Sequence, residues 1–477
     1  MAPTGPLPAR FRRERTMRYP AIAAAVAAAA LATAIGILRP DKTVRVVTGL
    51  VAHSLCSETL VSGIDPEATR REMLAPMPGV RRLLPLMSIN IDRDRGSVTA
   101  AIAGLFANRA VFHRGYGCNL VFDRDVAADW PPPATVAPGH DGAGEKPVAP
   151  KSPRLEAALG RAFAEPASGP QRGTKAIVIV RDDRIIAERY ADGYGPDTKL
   201  MSWSVAKSVT NAMLGILVQQ RKLALDAPAP VPEWQSAGDP RQAITIAQLM
   251  RMTSGLALDE TNTGFDPNSR MLYTEPDMAG FVAPARLIAS PGTRYHYSSP
   301  GTILLSRIVR DQVGGSAADV AAFARRVLFA PLGMGDVTIE FDDAGTPIGS
   351  TYIYATARDW ARFGSLYLND GVVNGRRILP EGWVEFSAIP GNNPDGYAAG
   401  FFSNRGSSEY GARRVRNGMA ADSFFASGTL GQRIVIMPAD HLVVARFGLA
   451  QDWPDFDIVG LVHLVADVRA ACAAEQC

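Results

Sequence analysis

Two stretches of the chain alternate as β-strands do. Residues 175–190, KAIVIVRDDRIIAERY, place β-branched runs on either side of Asp182-Asp183 and predict a hairpin. In residues 432–448, QRIVIMP and LVVARFG flank Ala439-Asp440-His441 and predict two more strands. Between these ends the period changes to that of a helix. Val205, Val209, Ala212, Met213, Ile216 and Leu217 recur at i, i+4, i+7, i+8, i+11 and i+12, the buried stripe of a helix over 204–221. Further helices are expected at 155–165 (LEAALGRAFAE), roughly 300–313, and 356–369. Strands at both ends with helices between them predict an α+β fold, one antiparallel sheet closed by distant strands, not a doubly wound parallel sheet.

Upstream the texture is mixed. Residues 43–125 read as a small N-terminal α/β region. DPEATRREML (65–74) is a helix opened by Asp65-Pro66, and RAVFHRGYGCNLVFD (109–123) is a pair of strands broken by a glycine turn. Residues 126–154 are rich in Pro, Gly and Ala and read as an extended linker or surface strap. The main domain then occupies 155–470, consistent with 477 residues exceeding one ordinary core.

The first 38 residues stand apart. Arg10, Arg12, Arg13, Arg15 and Arg18 form a basic segment (1–19) ahead of an almost uncharged run, 20–38. As a helix that run spans about 28 Å, close to a hydrocarbon core of about 30 Å. The arginines should stay cytoplasmic, placing the rest beyond the inner membrane. The alternative is a signal peptide cleaved near Ala32-Thr33-Ala34, which would leave a secreted protein, although Ile35 to Leu38 prolong the apolar run. Either reading exports the protein. The four cysteines, Cys56, Cys118, Cys472 and Cys477, agree with export. A Cys56–Cys118 bridge would staple the N-terminal region, the alternative being two free thiols, and the terminal pair is left open. With a net charge of +3 concentrated at the N-terminus, no basic stripe offers itself to nucleic acid.

Lysine is scarce. Only seven of the 50 basic residues are Lys, and none follows Lys222. Yet Lys207 sits among Val205, Ala206 and Val209, one helical turn above Ser204. Apolar neighbours and the positive helix terminus both disfavour its charged form. Holding it neutral at pH 7 costs about 4–5 kcal/mol, and a neutral amine is a competent base for a serine hydroxyl.

In order along the chain stand WSVAKS, ITIAQLMRMTSGL (244–256), PGTRYHYSSPGTILLSRIV (291–309), GSTYIYATARDWARFGSLYLNDG (349–371) and SGTLGQRIVIMP (427–438). Together they resemble the class C β-lactamase-like serine hydrolases, most of all the esterase and 6-aminohexanoate-dimer hydrolase branch, over about 160–460. The resemblance implies an antiparallel sheet flanked by helices with an inserted all-helical subdomain, as in serine β-lactamases and D,D-peptidases. It implies Ser204 as nucleophile, Lys207 as general base and Tyr297 as proton shuttle to the leaving group. The family's Tyr-x-Asn reads Tyr297-Ser298-Ser299 here, so Ser299 takes the asparagine's place. A literal Tyr367-Leu368-Asn369 reads as helix packing. The Lys-Thr-Gly that meets a penicillin carboxylate has no counterpart; its place falls to Ala426-Ser427-Gly428, followed by Thr429. Backbone N–H groups of Ser204 and Thr429 would form the oxyanion hole, and Gly428 would let the strand approach closely.

The remaining polar residues suggest less. The histidines form no metal-binding pattern, and no cofactor is called for. His296 and Trp203 are pocket candidates beside Tyr297 and Ser204, Trp360 is a pocket or core residue, and Arg358 and Asp359 should start a helix and pair locally. MTSGL reads as a structural turn. No G-x-S-x-G elbow points to an α/β-hydrolase. Specificity is expected from loops 257–290 and 390–425. The expected activity is hydrolysis of small ester or amide substrates through an acyl-enzyme on Ser204. The alternatives are a cell-wall D,D-peptidase or weak β-lactamase, and a non-catalytic sensor that keeps the fold.

Overall fold

The computed structural model describes Gly5 and residues 40–132, 146–169, 171–391, 393–451, 458–474 and 477. The basic segment 1–19 (Gly5 apart) and the apolar segment 20–38 lie outside the described residues. At the centre is a six-stranded antiparallel sheet. Its order is Phe402–Ser403, Phe424–Gly428, Gln432–Met437, Leu442–Gly448, Thr174–Arg181, Arg184–Tyr190. The predicted hairpin turns at Asp182 and Asp183, whose φ values of 48° and 60° belong to a tight left-handed turn. The predicted closure by distant strands is Val444 opposite Ile179.

The two-residue period of these strands builds two cores. Ile177, Ile179, Val435 and Val444 face the helices Pro153–Phe163 and His463–Ala473. Ala176, Val178, Ile434, Val443 and Ala445 face the other way, toward the helices Ala206–Gln219 and Ala357–Leu368. Gly364 lets the latter helix lie directly on Val443 and Ile434; a Cβ there would overlap their methyl groups. Along the chain, a group of helices over 246–324 falls between Ala206–Gln219 and Ala357–Leu368, and its longest member, Ser299–Val313, packs on Ala206–Gln219.

The N-terminal region is a four-stranded antiparallel meander, Met87–Asp92, Ser97–Ile102, Leu105–His113 and Gly117–Val121, crossed by the helix Pro40–Cys56. Its Val51, Leu55 and Val98 join the same continuous core as Val205 and Val209. The Cys56–Cys118 disulfide is present, and Cys472 pairs with Cys477. The buried Glu340 of the larger domain plugs the seam, accepting from Ser57 Oγ at 2.7 Å and Cys118 N–H at 2.8 Å while His53 lies 3.0 Å away. Asp41–Val61 is the one described stretch apolar and long enough to cross a membrane, and two-thirds of its apolar window is buried inside the protein.

Two expectations need adjusting. DPEATRREML forms one Asp65-capped turn that widens after Ala68. Arg358 does start a helix, capped by Thr356, and Asp359 pairs locally with Arg362. Arg358 itself, however, reaches across to Glu188 on the edge strand at 2.6 Å. A helical period identifies a buried face but not the distant group that face meets.

Candidate active site

Ser204 lies in a single tight turn, Trp203–Val205, that feeds directly into Ala206–Gln219. Ser202, just before it, is pinned: its N–H donates to the Ile353 carbonyl at 2.9 Å, its Oγ donates to the Thr351 carbonyl at 2.9 Å, and it accepts from Ile353 N–H at 3.1 Å. Trp203 is held at φ 45°, an uncommon conformation for a bulky residue. The strand Phe424–Gly428 runs against this turn so tightly that a Cβ on Gly428 would overlap the Ser202 carbonyl.

Lys207 is 3% exposed. Its Nζ lies 2.8 Å from Ser204 Oγ, and it donates to Ser299 Oγ at 2.8 Å and to the Ser350 carbonyl at 3.1 Å. Burial lowers its pKa from 10.5 to about 8, against the pull of the Glu260 carboxylate. The neutral fraction at pH 7 is thereby about 300-fold larger than for a free lysine. The helix Ser299–Val313 begins here, capped by Ser298, whose Oγ accepts from Gly301 N–H at 3.1 Å. Ser299 N–H donates to Glu260 Oε2 at 2.6 Å. A chain of contacts therefore runs Glu260, Ser299, Lys207, Ser204.

The Tyr297 ring centroid is 4.9 Å from Lys207 Nζ, and its hydroxyl lies close enough to the Ser204 side chain to be influenced by it. Burial first, then the Glu260 charge, push its pKa well above that of a free phenol, while Ser204 and Arg433 oppose the rise. Tyr297 therefore holds its proton at neutral pH. Tyr397 meets its ring edge-on at 5.7 Å and Phe402 stacks at 6.3 Å.

These side chains open into a cleft of about 480 Å³. Ser427, Gly428 and Thr429 line one side; Glu260, Asn262 and Tyr295 come from the loops before the Ser299 helix; Asp395, Phe402, Tyr410 and Arg414 come from the 390–425 segment; and Arg433 reaches in from its strand. Two named candidates lie elsewhere. His296 turns to Asp259, 3.1 Å away, and the Trp203 ring faces Tyr352 and a small separate hollow containing Lys175 and Tyr194. Trp360 is core, stacked on Phe447, and Tyr367 is buried against Asn211. Glu260, Asp395, Arg414 and Arg433 were not singled out by sequence. Glu260 and Asp395 come from the two loops expected to shape the pocket, where no periodicity marks individual residues, and Arg414 sits on the short helix Glu409–Arg416 within the second.

An antiparallel sheet flanked by helices, with a serine hydroxyl against a buried lysine, is the arrangement of the serine hydrolases of the β-lactamase type. Residues 160–459 match the family model described as Beta-lactamase, and the chain belongs to that family. Over 300 residues it is 27% identical to the 6-aminohexanoate-dimer hydrolase of Paenarthrobacter ureafaciens, covering 60% of this chain and 74% of the relative. Among solved structures, a penicillin-binding protein homolog from Caulobacter crescentus superposes with a TM-score of 0.53 at 20% identity, over 68% of this chain and 98% of the other. A family VIII carboxylesterase gives 0.53 at 16% identity, over 67% and 97%.

Proposed function

We propose that this hydrolase cleaves ester or unstrained amide bonds of a small substrate through an acyl-enzyme on Ser204. The observation that carries the reading is the 2.8 Å contact between Ser204 Oγ and a lysine whose pKa burial has lowered to about 8. In its neutral form Lys207 gives its two N–H bonds to Ser299 and the Ser350 carbonyl and turns its lone pair to the Ser204 hydroxyl. Ser204 Oγ bonds to the substrate carbonyl carbon as its proton passes to Lys207. The carbonyl oxygen takes the negative charge, facing the backbone N–H groups of Ser204 and Thr429. The bond to the leaving group breaks as Tyr297 donates its proton, which Lys207 replaces. Water then attacks the ester on Ser204, giving up a proton to the same pair, and Ser204 is restored. The relative named as a 6-aminohexanoate-dimer hydrolase supports the amide side of this reading.

The test uses p-nitrophenyl butyrate and a fluorophosphonate probe. The wild-type protein should turn over the ester and take the label, and Ser204→Ala should lose both. A folded wild-type protein that takes no label is a sensor that keeps the fold. One observation favours a second reading, a D,D-peptidase or weak β-lactamase. Although the lysine of Lys-Thr-Gly is missing, Arg433 brings a guanidinium into the cleft that could meet a substrate carboxylate. Nitrocefin hydrolysis as fast as ester turnover would favour it.

The basic segment followed by nineteen apolar residues supports residues 20–38 as a retained inner-membrane anchor with the catalytic domain on the extracytoplasmic side. The two disulfides are compatible with that compartment.

A further inference from the structure

Among the described residues, the three most exposed large apolar side chains are Leu86 (64%), Leu105 (63%) and Phe265 (59%). They come from three separate segments, and all three lie at one end of the N-terminal region. Leu105 follows the hairpin turn Ala103-Gly104 and stands opposite Ile102, which pairs with Met87, the neighbour of Leu86. The helix Pro40–Cys56 runs in the same direction as the strand Leu105–His113. Near its start, Arg45 and Thr48 donate to the Ala107 and Phe106 carbonyls. At its far end, Cys56 is bonded to Cys118, which stands opposite Phe112. The first turn of the helix and the tip carrying Leu105 therefore share an end. Phe265 joins them because a Cβ at its neighbour Gly264 would touch Thr43 and Val46, in the first two turns of that helix. Arg45, Arg81 and Arg82, all exposed, lie near these leucines in the chain or across the sheet.

The helix starts at Pro40, and the apolar segment ends at Leu38. One intervening residue spans at most about 3.5 Å, which is too little to hold this end away from a bilayer that 20–38 spans. We infer that this end is a membrane-docking face. Leu86, Leu105 and Phe265 seat at the acyl boundary and the three arginines lie among anionic headgroups. The inference rests on the anchor reading above. It also gives the site a setting. The loop ending in Phe265 carries Glu260 and Asn262 into the cleft, so one wall of the active site is attached to the docked face.

The test reconstitutes the full chain in vesicles containing phosphatidylglycerol and brominated acyl chains. Leu105→Trp and Phe265→Trp each add a reporter on the proposed face, and Val459→Trp adds one on the opposite side of the central sheet. Ester hydrolysis by each variant reports folding. The added emission at 105 and 265 should be quenched at least threefold more than that at 459. Equal quenching in chains that stay with the vesicles after an alkaline carbonate wash overturns docking and leaves the anchor standing. If the wash releases a chain whose N-terminus lies beyond residue 34, the anchor reading fails, and docking is scored on that processed chain. Sedimentation with phosphatidylglycerol vesicles that falls at least tenfold in Leu86→Asp/Leu105→Asp supports it, and no sedimentation of the parent chain overturns it.

Discussion

Arg358 and Lys207, two of the cations buried in the catalytic domain, are buried in opposite ways. Arg358 meets the carboxylate of Glu188 through Nε at 3.0 Å and Nη2 at 2.6 Å, and Tyr190 and Val148 also donate to that carboxylate. Burial works to raise the Glu188 pKa, but Arg358, Tyr190 and the Val148 N–H together hold it below its usual range. Both members of the pair stay ionised. Lys207 is met instead by two hydroxyls and a carbonyl, and its pKa falls. Arginine cannot surrender its proton inside a protein, whereas lysine can. The cation that stays charged has a carboxylate, and the one whose pKa falls has neutral partners with its nearest carboxylate one residue removed.

The contrast breaks first at Lys207. Lys207→Met should lower kcat/KM for p-nitrophenyl butyrate by about 10²–10⁴-fold, with a melting temperature equal to or above wild type. A loss under tenfold would mean that the amine is not the base. Glu188→Ala should do the reverse. With Arg358 left buried and unpaired, stability should fall by about 3–5 kcal/mol, read from urea unfolding, while turnover per folded molecule is unchanged. A smaller effect is expected in the pH profile. In the proposed mechanism the neutral amine is the active form, so kcat/KM should rise with pH and level off above about 8. Glu260→Gln keeps an acceptor for Ser299 N–H but removes the charge that raises the Lys207 pKa. Its midpoint should shift below the wild-type value, with higher relative activity at pH 6–7. An unmoved midpoint would show that Glu260 does not tune Lys207.

The same contrast separates what was legible in the sequence from what was not. Lys207 could be found because its signal is local: a lysine on an apolar stripe, one turn above a serine, in a chain that prefers arginine. The hairpin at Asp182-Asp183 and the strands at 432–448 were local in the same sense, as alternating runs around a turn. Glu188 as the partner of Arg358 was not legible, since the two stand on separate elements whose contact exists only once the sheet has packed on its helix. Glu260 was hidden in a loop without period, and its importance comes entirely from ending against the first N–H of the Ser299 helix. The displacement of His296 from the cleft was likewise invisible, because adjacency to Tyr297 says nothing about which side of a loop a ring takes.

The pairing of Leu442–Gly448 with Thr174–Arg181 has a consequence for how the molecule comes into being. The hairpin that opens the catalytic domain is made early, yet its neighbour is nearly the last strand to emerge. Until then its edge is an unsatisfied template for any passing strand, and closing so long a loop is slow. A catalytic domain threaded across a membrane from its hairpin end would have to keep that edge idle through most of its passage. Closure of the sheet is thus staked on residues 442–448, and a chain cut short of them would be left with an open edge on the opening hairpin.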